Sequence, residues 1–224
     1  MDVDQDFALI KILIDKRDYA KGLEVSLQLL EKFPTLPSIN FAVALCLIEQ
    51  GKNTEAAMHL EVAVHYFKLE EGHSEEDLRL FAGLATLLTR TGCTTNVDKF
   101  ISDNYVKIRW DKNSPKLLIE LVQLCLVIEN PELGLVIINE AFPVYNSTEY
   151  IIDVLLLLAN TAHAAENLEI EYETYIRALE LDPLNPQIHS RLSRFLGRIK
   201  EWKLSACFLD HYDTSQISLM CFRW

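Results

Sequence analysis

Ala178-Leu179-Glu180-Leu181-Asp182-Pro183-Leu184-Asn185-Pro186 is the stretch whose reading decides the fold. It reads as the end of an amphipathic helix, a proline that stops it, a short polar turn and a second proline that opens the next helix. Proline lacks the N–H that a helix interior needs but is at home in the first helical turn. A weaker copy stands near the start of the chain, Leu29-Leu30-Glu31-Lys32-Phe33-Pro34-Thr35-Leu36-Pro37. Two such helix-to-helix marks imply a repeated helical unit.

Working outward from Pro183, the segment from Ile152 carries Leu158 and Ala159 in a first helix, Asn167 at the turn, and Tyr175 and Ala178 in a second helix. This pattern resembles the tetratricopeptide repeat, a helix-turn-helix of about 34 residues. Two positions depart from it: Leu168 stands in place of the turn aromatic, and Glu171 where alanine is usual. The next unit offers Leu192, Ser193, Trp202, Ser205 and Leu209. The first has Leu9 and Leu13, a turn at Asp18-Tyr19, Gly22 in the small slot and Pro34 at its close; the second has Val43, Ala44, Gly51, Ala56, Leu60 and Ala63. After an insertion between Glu70 and Asp77 come Leu84, Ala85, Gly92, Val97 and Ile101, then Leu121, Val122, Pro131, Gly134, Ile138 and Ala141. The resemblance implies an all-α, right-handed solenoid of about twelve helices in antiparallel pairs. It would form one domain over residues 1–224, with units near 3–36, 37–70, 78–111, 115–148, 152–185 and 186–219 and an apolar tail at 215–224. One helix pair cannot bury its apolar stripe alone, and small residues at fixed places let neighbouring helices approach.

A chain of 224 residues, 50% of them hydrophobic, can bury a large core. Its 21 Lys+Arg against 33 Asp+Glu give a net charge of −12, which argues against a general binder of nucleic acid, since that needs a basic surface. The start, Met1-Asp2-Val3-Asp4-Gln5-Asp6, lacks the basic and apolar runs of a signal peptide, so a cytoplasmic location is expected. The most apolar stretch, residues 151–165, is broken by Asp153, Asn160 and His163 and is too short to cross a bilayer, so a buried helix and no membrane insertion are expected. Cys46, Cys93, Cys125, Cys207 and Cys221 are odd in number and without a C-x-x-C, which fits reduced thiols.

No phosphate-binding glycine loop, H-E-x-x-H, nucleophile elbow or dinucleotide fingerprint is present, so neither an enzyme nor a cofactor is expected. Cys207 and His211, four residues apart, are two metal ligands without a second pair; His59, His65 and His73 are spaced to scatter around a helix and into a loop. No metal is expected. The acidic run from Glu70 to Asp77 reads as a helix start, with Ser74 as cap and Glu75, Glu76 and Asp77 at the positive end of the helix dipole.

In the resembling family the first helix of each unit lines a concave groove that meets a protein or peptide. Carried over unit by unit, this implies contact residues Arg79 and Arg90, Lys116 and Gln123, Asn160 and His163, and Arg194 and Arg198, with Arg191 nearby. Arg191, Arg194 and Arg198 share one helical face and would suit an acidic segment, or else answer acids of the chain itself. As surface residues, Arg194 and Arg198 should tolerate reversal to Glu without loss of stability. Phe7, Phe41 and Leu45 make the N-terminal part apolar and suited to an amphipathic helix. The family's carboxylate clamp is missing, with Phe7 and Lys11, Ala42 and Leu45, and Arg79 and Gly83 at its places. The expected function is a non-catalytic scaffold for a protein or peptide partner. The alternative is a substrate-docking or dimerisation module cut from a larger enzyme such as a glycosyltransferase. The apolar end, Ile217 to Trp224, would fit a cap helix, a contact between copies or a continuing chain.

Overall fold

The computed structural model describes residues 3–92 and 94–200, and among these it contains helices and no strand. Eleven α-helices are numbered here in chain order: α1 Val3–Asp15, α2 Tyr19–Lys32, α3 Pro37–Glu49, α4 Asn53–Tyr66, α5 Glu75–Arg90, α6 Thr94–Asn104, α7 Lys116–Val127, α8 Pro131–Tyr145, α9 Ile151–Ala164, α10 Leu168–Leu181 and α11 Pro186–Arg198. A 3-10 turn, Tyr105–Lys107, follows α6. The described residues divide into two compact bodies, an N-terminal one within 1–109 and 123–130 and a C-terminal one within 110–122 and 131–200.

Local chemistry starts and stops these helices where the sequence marks it. Pro37 and Pro186 occupy the first turns of α3 and α11. The Asp18 side chain accepts from the Lys21 N–H, Asn167 from Ile170, and Asn185 from Gln187 and Ile188. Ser74 and Asp77 cap α5 reciprocally, each side chain accepting from the other's backbone N–H. The fourth residues of α3 and α11 also reach back across the turn, with different chemistry: Asn40 donates to the Pro34 carbonyl at 2.9 Å, and His189 Nε2 donates to the Pro183 carbonyl at 2.6 Å.

The turn after each first helix is built alike. Arg17, Gly51, Gly92, Glu129, Glu166 and Lys200 all have positive φ, between 54° and 79°, at intervals of 34, 41, 37, 37 and 34 residues. At Arg17, Gly51, Glu129 and Glu166 the next N–H reaches back five residues to a helix carbonyl, as in Asp18 to Leu13 and Asn167 to Ala162, both at 2.9 Å. Only Gly51 and Gly92 adopt this backbone freely; a side chain there costs about 1 kcal/mol. The long interval contains the insertion before α5.

Second helices share a register. The fourth residues of α2, α4, α6, α8 and α10 are Gly22, Ala56, Val97, Gly134 and Glu171, and all five are buried. At Gly22 an added Cβ would stand 3.2 Å from the Cys46 sulfur, which explains the small side chain. In the N-terminal body the buried rings of Phe67, Phe81 and Phe100 pack together, their centroids 5.3 to 6.2 Å apart. In the C-terminal body Leu155, Leu156, Ala159, Tyr175, Ala178, Ile188, Leu192 and Phe195 form the core. Cys46 and Cys125 are buried free thiols, raised by burial to about 11 and about 12. Cys93, Trp202, Ser205, Cys207, Leu209, His211, Cys221 and the apolar tail lie outside the described residues. Among the described residues no helix is long and apolar enough to cross a membrane.

Candidate functional site

The C-terminal body brings five of the sequence-predicted contact residues into one pocket of about 400 Å³. Asn160 and His163 come from α9, and Arg191, Arg194 and Arg198 from α11. The helix between supplies Glu171 and Tyr175, both buried, as the floor. The α11 arginines arrive together because their spacing keeps them on one face, while Ile188, Leu192, Phe195 and Leu196 hold the adjoining face in the core.

The three arginines are not equivalent. Arg191 Nη1 donates to Asn160 Oδ1 at 2.8 Å and to the Leu156 carbonyl at 3.4 Å, so neutral acceptors hold it. Arg194, exposed, donates to Ser190 Oγ one turn back at 3.1 Å. Arg198 pairs with Glu171 Oε2, rests against the His163 ring, and lies 5.4 Å above the Phe195 ring centroid. His163 Nδ1 is itself 3.6 Å from Glu171 Oε2. Among the described residues, then, an acid of the chain answers only one of the three guanidiniums.

The sequence marked Glu171 only as a departure from the repeat and gave it no place in the site. Its side chain is 4% exposed, and burial pushes its carboxyl up to about 7, against the pull of the half-exposed Arg198. Tyr175, one turn on, is raised by burial and by the Glu171 charge and lowered by Arg191 and Arg194. The signal for Glu171 was present as the one acidic residue in a slot that, in the other described second helices, holds glycine, alanine or valine. Its pairing also revises one expectation: Arg198 is not a free surface cation, and reversing it would set two carboxylates side by side.

The remaining candidates stand elsewhere. In the N-terminal body Arg79 pairs with Glu75 at 2.5 Å and Arg90 with Glu49 at 2.8 Å. Lys116 and Gln123 are exposed on α7. Phe7, Phe41 and Leu45 are half-buried. The Phe41 ring lies where a Cβ on Gly83 would meet it at 2.8 Å, so Gly83, at a clamp position, makes room for an aromatic ring instead. Among the described residues no group of three His, Cys, Asp or Glu side chains is placed to hold a metal ion.

No protein-family model matches the chain, and no curated protein does. Solved structures do. YrrB, a TPR protein with an unusual peptide-binding site, is 11% identical, with a TM-score of 0.52 over 84% of this chain and 90% of its own. Pseudomonas aeruginosa pilF is 11% identical, with a TM-score of 0.51 over 92% of this chain and 87% of its own. The APC/C hetero-tetramer Cut9-Hcn1 is 12% identical with a TM-score of 0.46, and this chain spans 38% of the chain it matches there. Identities this low speak to the fold. Paired helices with a shared turn and a shared buried register, together with the likeness to YrrB and pilF, give this chain the all-α, TPR-like helical solenoid fold.

Proposed function

We propose that this chain is a non-catalytic protein-interaction scaffold, and that the pocket between α9, α10 and α11 receives an acidic segment of a partner. One observation carries the reading: three guanidiniums converge in one pocket of a protein whose net charge is −12, and among the described residues one carboxylate answers them. Arg194 is the contact residue best placed to meet a ligand, since it is exposed and, among the described residues, donates to the neutral Ser190 hydroxyl. Arg191 presents a second guanidinium, held in position by Asn160. Paired donors of this kind suit a carboxylate. Arg198 is a positioning residue that fixes Glu171. Peptide binding is in the printed description of YrrB and comes to this chain as part of the proposal.

Fluorescence anisotropy with a labelled hexaglutamate peptide tests the reading. Arg194→Glu is expected to weaken binding about tenfold or more while the melting temperature stays put, and added salt should weaken binding to the unaltered protein. Equal binding by Arg194→Glu, or none by the unaltered protein, would overturn it.

A further inference from the structure

We infer that the pocket takes up a proton together with its acidic ligand, and that Glu171 receives it. This rests on the pocket reading above and adds a role for the buried carboxylate at its floor. Glu171 holds the Arg198 guanidinium, one of the three cationic positions a ligand carboxylate would seek. The chain therefore carries its own competitor for the site. The groups that face Glu171 among the described residues are His163 and Asn160 from α9, Tyr175 from α10, and Arg198 from α11, with Arg191 and Arg194 beyond.

Two carboxylates in about 400 Å³ cannot both stay ionised without cost, because like charges at short range favour the protonated form of one. The arriving carboxylate is ionised near neutral pH and meets guanidinium N–H groups; Glu171 gains a second negative charge nearby and shares its arginine. One proton moves from solvent to a Glu171 oxygen, and no covalent bond of the chain breaks. Protonated Glu171 can then donate an O–H hydrogen bond within the pocket, where before it could only accept. Burial already brings this carboxyl close to neutrality, so uptake is cheap in that range.

Calorimetric titration of hexaglutamate in two buffers of different ionisation enthalpy, at several pH values from about 6 to 8, reads the proton directly. The unaltered protein should take up close to one proton per peptide bound near the upper end and bind several-fold more tightly as pH falls. Glu171→Gln should bind with no uptake, and at the upper end should match or exceed the unaltered protein's affinity at the lower end. His163→Gln should keep the uptake. Uptake that survives in Glu171→Gln and is lost in His163→Gln would place the proton on the imidazole and overturn the inference. Binding without proton uptake would overturn the inference and leave the pocket reading standing. No binding by the unaltered protein would overturn both. Melting curves of the two variants confirm that each is folded.

Discussion

Ala56 in α4 and Glu171 in α10 hold the same register, the fourth residue of a second helix, and both are buried. The N-terminal body answers that slot as packing requires, with a side chain too small to separate its neighbours. The C-terminal body puts a carboxylate there and surrounds it with Arg198, His163 and Tyr175. A buried ion pair adds little net stability compared with a well-packed apolar slot, because desolvation consumes most of the attraction. The departure is therefore poorly explained by folding alone. The difference teaches that in a repeat architecture the informative residue is the one that breaks the register and still has partners.

The comparison can be broken first at the core. Ala178→Arg inserts a long cation between packed helices of the C-terminal body, and is expected to cost about 4 kcal/mol or more, since overpacking and an uncompensated charge add. Urea denaturation reads it; an unshifted midpoint would show that small side chains are not required there. Next, Ala56→Glu plants the C-terminal body's carboxylate in the N-terminal one, where Arg79 and Arg90 are already paired with Glu75 and Glu49. A loss of about 3 kcal/mol is expected, shrinking at acid pH as the carboxyl protonates.

Arg198→Met sharpens the comparison by removing the cation alone. Its side chain is 36% exposed and Glu171 can take a proton, so the loss should be about 1–2 kcal/mol, below that for a fully buried pair. It should grow with pH. Smallest is Glu171→Gln, expected within about 1 kcal/mol of the unaltered protein but with a different pH slope. Glu171 is raised from the ordinary 4.5 to about 7, so the folded chain binds more protons than the unfolded one between those values. Its contribution is full at the acid end of that window and is lost as pH rises through about 7. Glu171→Gln should flatten this decline in urea midpoints measured across the window; an unchanged slope would mean that the carboxyl titrates normally.

The helix starts were legible because they rest on single residues with local jobs: Pro37, Ser74, Asn167 and Pro186 act within a turn of where they stand. The arginine face of α11 was legible for the same reason, since spacing along one helix fixes which side chains share a side. Its partner was not. Glu171 and Arg198 are 27 residues apart, and only the packing of α10 against α11 brings them together. Phe41 over Gly83 is a further case, in which a gap in the family's clamp is a place taken by a ring from the preceding unit.

The six left-handed turn residues have one more consequence. Spelled in amino acids they read Arg, Gly, Gly, Glu, Glu and Lys, four letters from three chemical classes, at a site where a residue with φ near +60° is all that is required. The period of this protein is written in dihedral angles more consistently than in side chains. A comparison that scores letters column by column meets noise at the hinge of every repeat, while one that compares shapes meets the same bend six times. That is how a chain with no family model to match can share its fold with proteins 11% identical to it.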